Sequence, residues 1–403
     1  MTRFARLVLV DSHGTPLGVL PPYPVPVPWW QEAADVVDGA RVNFGLDVTI
    51  LRLLSADRPT MPGGTVTYVA ECAVAPAVVV SLAEAGVDEA AVTGPAKNRA
   101  PYARPGGPAA SIGWAAQRLA DLGWTGVTAH QHRTWNLSAI WRLDAADGQR
   151  AWLKQVPPFF WQEGAVLRWL AQAAPGRAPE LLAEGDEGRL LLAHVPGHDW
   201  YDADLAGQHR IGVTAHGIQL TAADDLDTLV AAGVPDRRGA RLADWIRGTL
   251  APHLPTVDEV LPDLDERLAA ARACGLPDTL VHGDLHPGNT RVSGDDDPVV
   301  IDWGDSFAGS PVFDILRLSE RGDEASAAGL RAAWSARWRA AVPGCDPEAA
   351  IAALTPVAAL RSAAVYAEFL ANIEQSEHPY HLADVPRCLR EAQQEAGRHT
   401  VGA

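Results

Sequence analysis

Lysine is almost missing from this chain of 403 residues: Lys97 and Lys154 are the only two among 33 Lys and Arg. Cysteine is nearly as scarce, and Cys72, Cys274, Cys345 and Cys388 lie far apart. Without paired or CxxC spacing they exclude a disulfide framework and a cysteine zinc site, so reduced thiols are expected. No apolar run in the sequence reaches the ~18 residues that cross a bilayer, and MTRFARLVLV gives way to Asp11, Ser12 and Gly14. A cytoplasmic location without a membrane partner is therefore expected. Cations are also outnumbered, 33 against 50 Asp and Glu, for a formal charge of −17. That balance argues against a nucleic-acid partner, which needs clustered cations. The deficit is uneven: residues 1–110 hold 8 cations and 10 anions, leaving 25 and 40 for residues 111–403. A cationic ligand would favour the second part. No internal repeat is visible, and with 47% hydrophobic and 21% charged residues the length predicts more than one globular domain.

Residues 1–95 read as a small α/β domain: two strands around a turn at Ser12–Gly14, helical spacing over Gln31–Phe44, then strand-like VTILRLL and TVTYVAECAV. Residues 96–110, dense in Pro, Gly and Ala, read as a linker. From 111 a helix-like segment leads to two strand-like runs, NLSAIWRL and RAWLKQVP, then a helix, FFWQEGAVLRWLAQ. A strand follows at 188–195, and beyond His198 the pattern is helical except for a loop-rich stretch at 276–316.

That stretch carries the chemistry. LVHGDLHPGNTRVSGDDDPVVIDWGDSFAGSPVFDI packs Asp284, Asn289 and Asp302 between tight Pro and Gly turns, and VVID reads as a buried strand that delivers its carboxylate to a loop mouth. Phosphoryl transfer needs a carboxylate beside the acceptor hydroxyl and oxygen ligands for Mg²⁺. Two other readings stay open: ordinary turn-forming carboxylates, and a metallohydrolase using His282, Asp284 and His286, for which no further histidine cluster completes a site.

HGDLHPGN followed by IDWG resembles the catalytic loop and metal motif of the aminoglycoside phosphotransferase family. The resemblance implies an α+β, two-lobed protein-kinase-like domain over 111–403, with an N-lobe at about 125–195 and a C-lobe at about 198–403. It implies ATP and Mg²⁺ as cofactors, Asp284 as catalytic base, and Asn289 and Asp302 as metal ligands, with Trp303 where protein kinases usually carry Phe. Asp314 and His282 would support the loop. A kinase-like fold also asks for a strand lysine holding the nucleotide phosphates and a helix glutamate orienting it. Lys154 and Glu163 stand in that order. No GxGxxG precedes the strand, so backbone amides near Asn136, Leu137 and Ser138 would cradle phosphate, and Ala193 to Val195 would meet adenine. No Ala-Pro-Glu segment follows the metal motif, which disfavours a peptide substrate. Asp202, Asp204, Glu368 and Glu374 are candidates for an acceptor site.

The first domain resembles a Nudix hydrolase in its strands, helix and Gly45, but Asp38, Gly39, Val42 and Asn43 stand where that family's glutamate signature belongs. The resemblance implies a degenerate domain used for binding or packing; an unrelated α/β cap fits the same pattern. The expected function is ATP- and Mg²⁺-dependent transfer of the γ-phosphate to a hydroxyl of a small molecule such as an amino sugar or amino alcohol. A catalytically inactive pseudokinase acting as a nucleotide or metabolite sensor is the alternative, and a protein kinase comes third. The sequence is silent on oligomeric state.

Overall fold

The first apolar run forms β1 (Arg3–Val10), and its alternation serves two cores. Ala5, Leu7 and Leu9 face one apolar cluster, Val8 and Val10 the other. A strand covered on both faces belongs at the centre of a sheet. β2 (Pro16–Val19) and β3 (Tyr23–Val25) pair with it antiparallel, and α1 (Ala34–Phe44) ends at Gly45 in the left-handed region. β4 (Val48–Ala56) and β5 (Thr65–Cys72) complete the order β2-β1-β5-β4, in which β1 and β5 run parallel. These elements belong to a computed structural model that describes residues 3–58, 63–74, 76–254 and 257–398.

After α2 (Glu89–Thr93) the Pro- and Gly-rich stretch departs from the expected linker. A 3-10 turn at Pro101–Ala103 buries Tyr102, and α3 (Gly107–Asp121) opens at once, with Pro108 in its first turn. Proline at a helix start has no N–H to lose, so this composition begins a helix as readily as it loosens a chain. A second sheet follows: β6 (Thr128–Trp135), β7 (Ser138–Asp144) and β8 (Arg150–Gln155), then α4 (Gln162–Ala173), β9 (Leu181–Gly185) and β10 (Arg189–Ala193), in the order β6-β7-β8-β10-β9. β6 went unread in the sequence because its residues TAHQHR are mostly polar and exposed.

The chain divides into two units, and both sheets lie in the first: residues 1–159, 182–194 and 369–383. Inside it the Gln131 side chain acts as a strand neighbour, accepting from Ile50 N at 2.8 Å and donating to Ile50 O at 2.7 Å. Backbone bonds from Ala33 N to His132 O and from Thr134 N to Gln31 O add to this seam.

The second unit, residues 160–181, 195–368 and 384–403, is mostly helical. Its elements are β11 (His198–Asp199), α5 (Leu205–Ala231), α6 (Ala240–Leu250), α7 (Leu264–Ala273), β12 (Thr279–Val281), β13 (Thr290–Val292), β14 (Val299–Val300), β15 (Phe307–Gly309), α8 (Val312–Ser319), α9 (Glu324–Ala341), α10 (Pro347–Asn372) and α11 (Asp384–Arg398), with the end of α10 counted in the first unit. By length and composition α10 could cross a membrane, which no apolar run in the sequence had suggested; half of the qualifying stretch is buried within the chain. Its Ala350, Leu354, Val357 and Leu360 are core residues, and Arg361 on the same helix is buried too.

Candidate active site

β12 and β15 pair through Leu280 and Ala308, and the loops leaving them carry the residues singled out in the sequence. Immediately after β12 the chain must turn under another loop. Gly283 does so at φ +87, and a Cβ there would lie 2.2 Å from the Asp305 carbonyl, so no other residue fits. The loop is fixed from behind by Asp314 on α8. Its buried carboxylate accepts from His282 N at 2.9 Å, Gly283 N at 3.0 Å and Gln219 Nε2 at 2.9 Å. Burial raises the Asp314 pKa, against which these donors act. Arg361 adds a bond to the Gly283 carbonyl at 3.3 Å.

His282 spans the two loops. Its Nε2 meets the Ile301 carbonyl at 3.0 Å, while Nδ1 accepts from Asp284 N at 3.3 Å. Both ring nitrogens are thus engaged by protein groups, which removes His282 from any set of metal ligands. Among the described residues no group of three His, Cys, Asp or Glu side chains is arranged to hold a metal ion.

Asp284 and Asn289 are bonded directly. The Asn289 amide nitrogen donates to the Asp284 carbonyl at 3.0 Å and to its Oδ2 at 3.1 Å. With its N–H bonds spent there, the carboxamide oxygen is the group left for a hard cation. His286 Nε2 stands 3.5 Å from the same Oδ2, and its Nδ1 accepts from Gly288 N. Arg317 Nε donates to Oδ1 at 2.7 Å. Burial alone would raise the Asp284 pKa, but the bond from His286 and the Arg317 guanidinium hold it well below the usual carboxylate range.

Asp302 follows β14 with φ 66 and ψ 63. A non-glycine residue in the left-handed region is uncommon and mildly strained, and such strain collects at functional positions. Its loop is well held: Trp303 Nε1 donates to Val300 O, Ser306 Oγ to Trp303 O, and Ile301 N to Asn289 O. The last of these places the two candidate metal-ligand loops side by side. The start of α4 sits on this loop as well, since Gln162 Nε2 donates to Gly304 O at 2.5 Å and the Phe160 ring packs against Gly304. Glu163 is the next residue of α4 and is buried.

The first unit holds the other candidates. Lys154 lies on β8 opposite Ile140 of β7 and is 7% exposed. The β6–β7 hairpin turns through Asn136 and Leu137, and Ser138 accepts a bond from Trp135 Nε1 at 3.1 Å, so its hydroxyl is engaged within the hairpin. Asn136 is 4% exposed, and among the described residues neither its amide nitrogen nor its oxygen has a hydrogen-bond partner. Ala193 ends β10 in register with Ala151. In the second unit the Val195 carbonyl accepts from Arg291 Nε at 2.9 Å.

Two acceptor-site candidates have other employment. Asp204 caps α5 through Gly207 N, and Glu374 is buried in ion pairs with Arg99 at 2.6 Å and Arg52 at 3.5 Å. Glu368 accepts from Trp245 Nε1 at 3.4 Å, and Asp202 is exposed. Sequence reasoning missed Arg317, Arg361 and Gln219. Arg317 carried a signal, because it falls three residues after Asp314 and one helical face presents both.

The profile of the phosphotransferase enzyme family named for the aminoglycoside phosphotransferases matches residues 137–353, more than half of the chain. The chain belongs to that family. No curated protein matches this phosphotransferase. Among solved structures, a macrolide 2'-phosphotransferase type I is 16% identical, with a TM-score of 0.51 over 70% of this chain and 97% of its own. The macrolide 2'-phosphotransferase of Brachybacterium faecium is 18% identical, with a TM-score of 0.48 over 70% and 97%. An ethanolamine kinase of Plasmodium vivax is 11% identical, with a TM-score of 0.48 over 66% and 79%. The phosphotransferase therefore has the α+β, kinase-like fold of its family, preceded by the five-stranded sheet of β1 to β5.

Proposed function

We propose that this phosphotransferase moves the γ-phosphate of ATP to a hydroxyl group of a small molecule with the help of Mg²⁺. The observation that carries the reading is the bonded set Asp284, Asn289 and His286, with the Asp302 loop tied to Asn289 through its backbone. The acceptor oxygen forms a bond to the γ-phosphorus, the bond to the β-phosphate oxygen breaks, ADP leaves, and the hydroxyl proton passes to the Asp284 carboxylate. A carboxylate held this far below its usual pKa orients the hydroxyl first and receives the proton only as the transfer proceeds.

The hard oxygen donors of Asn289 and Asp302 suit Mg²⁺, and the turned carboxamide of Asn289 presents the right atom. When bound there, Mg²⁺ neutralises charge on the phosphates. The family resemblance gives Lys154 the role of a compact ammonium for the α and β phosphates and Glu163 that of the glutamate that orients it, with the hairpin amides at Asn136 to Ser138 as the phosphate cover. Ala193 to Val195 offer backbone groups to the adenine. His282 and Asp314 position the loop and take no part in the chemistry. The charge of residues 111–403, 25 cations against 40 anions, supports a cationic acceptor such as an amino sugar or amino alcohol.

The test avoids the acceptor altogether. The thermal midpoint of the wild type should rise with Mg²⁺ and ATP together, and the rise should vanish in Asp302→Ala, since ligand binding to the native state raises stability. No shift at millimolar ATP would turn the reading toward the inactive sensor.

A further inference from the structure

Arg317 has no place in the function as read so far, and its surroundings give it one. The Asp284 carboxylate has two equivalent oxygens and a rotatable bond, so something must decide which oxygen faces the acceptor. Oδ2 looks toward Asn289 Nδ2 at 3.1 Å and His286 Nε2 at 3.5 Å, while Oδ1 takes a 2.7 Å bond from Arg317 Nε. Bonds between ionised partners are shorter and stronger than neutral ones and carry geometric preference. Arg317 is itself oriented, since its Nη1 is paired with Glu320 at the C-cap of α8.

The alternative is that Arg317 merely holds α8 against the loop. Asp314 already does so, with two backbone amides and Gln219 on one buried carboxylate. The Arg317–Asp284 pair is partly exposed, 31% and 34%, and ion pairs of that kind add little to stability. A second clamp from the same helix, aimed at the side chain rather than the backbone, is redundant for folding and useful for chemistry.

We propose that Arg317 is a positioning residue: it locks the rotation of the Asp284 carboxylate, so that Oδ2 alone is presented to the attacking hydroxyl. This rests on the phosphotransferase reading above. Glu320 sets Arg317, Arg317 sets Asp284, and α8 delivers this relay and the Asp314 brace from one face.

The experiment uses the full chain with Mg²⁺-ATP and water as acceptor, following phosphate release and the ATP-induced shift in thermal midpoint. Arg317→Met should lower kcat by about tenfold or more with KM for ATP within about twofold and an unchanged midpoint shift, as expected for lost orientation rather than lost binding. Arg317→Lys, which restores a donor and a charge, should recover part of that loss. Glu320→Gln, which leaves Asp284 and Arg317 intact, should fall between wild type and Arg317→Met, and it carries the test if the Met variant does not fold. A kcat for Arg317→Met equal to or above wild type, a lysine variant no better than methionine, or a Glu320→Gln variant indistinguishable from wild type while Met fails to fold would each overturn the proposal. A wild type that neither binds nor hydrolyses Mg²⁺-ATP overturns the phosphotransferase reading and this inference with it; a functioning wild type matched by Arg317→Met overturns the inference alone.

Discussion

Asp284, half-buried, and Glu377, buried, are both carboxylates that lose part of their hydration, and their pKa values move in opposite directions. Burial pushes each upward. At Asp284 the push is outweighed by His286 and Arg317 on its two oxygens, and the group stays ionised. Among the described residues Glu377 has one direct donor, Leu53 N at 3.3 Å, because Arg52 and Arg99 beside it are committed to Glu374; burial raises its pKa to about 8. Both regions are rich in Arg and Glu or Asp. Which cation actually touches which oxygen decides the ionisation, and net charge does not. The first arrangement suits a group that must act; the second suits one that must stay neutral inside a unit.

The largest expected effect tests the active end of this contrast. Asp284→Asn should lower phosphoryl transfer by about 10²- to 10⁴-fold while the Mg²⁺-ATP shift in thermal midpoint persists. Loss of the shift would make Asp284 a structural residue like Glu377.

Next in size is the buried network. Glu374→Ala strands the Arg52 and Arg99 guanidinium groups in the first unit, and breaking a buried pair of this kind costs about 3–5 kcal/mol, measurable by urea unfolding. A cost comparable to a surface pair would mean the cluster is hydrated.

The pH dependence follows from Glu377. Its folded pKa lies above the unfolded value, so between roughly pH 4.5 and pH 8 the unfolded state binds fewer protons and stability falls as pH rises. Glu377→Gln should flatten that slope in thermal midpoints taken across the window. His381, in the same segment, has a pKa lowered to about 3 by burial, so its contribution is present above about pH 6.5 and lost on acidification. Removing Glu377 should leave that acid-side loss in place.

Asn136 gives the smallest effect. Since its buried amide has no partner among the described residues, Asn136→Ala should leave the thermal midpoint unchanged or slightly higher without ligand. It should also weaken Mg²⁺-ATP binding severalfold if the amide meets phosphate, which a titration of the midpoint against ATP would read.

Legibility divides along the same line as the two carboxylates. HGDLHPGN and IDWG are contiguous, and their Gly and Pro residues fix tight turns by local sterics alone, so Asp284, Asn289 and Asp302 could be found from spacing. Asp314 was visible in GSPVFDI. Arg317 was not chosen, because an arginine in a helix is ordinary until another element is seen to present a carboxylate to it. The polar strand β6 is not visible in the sequence, and the packed stretch around Tyr102 reads there as a linker, because their local composition points away from what their neighbours make of them. Gln131, serving Ile50 as a strand neighbour from 81 residues away, has no local signature at all.

The sequence by itself determined the family, the tight turns around Asp284, Asn289 and Asp302 and the positions of these candidate groups, because those depend on residues close together in the chain. The tertiary structure decided which of its many carboxylates would be ionised, which arginine would hold the one in the active loop, and that the sheet of β1 to β5 and that of β6 to β10 share one unit with residues 369–383. Those outcomes rest on burial and on contacts between distant segments, and both arise only when the chain is packed.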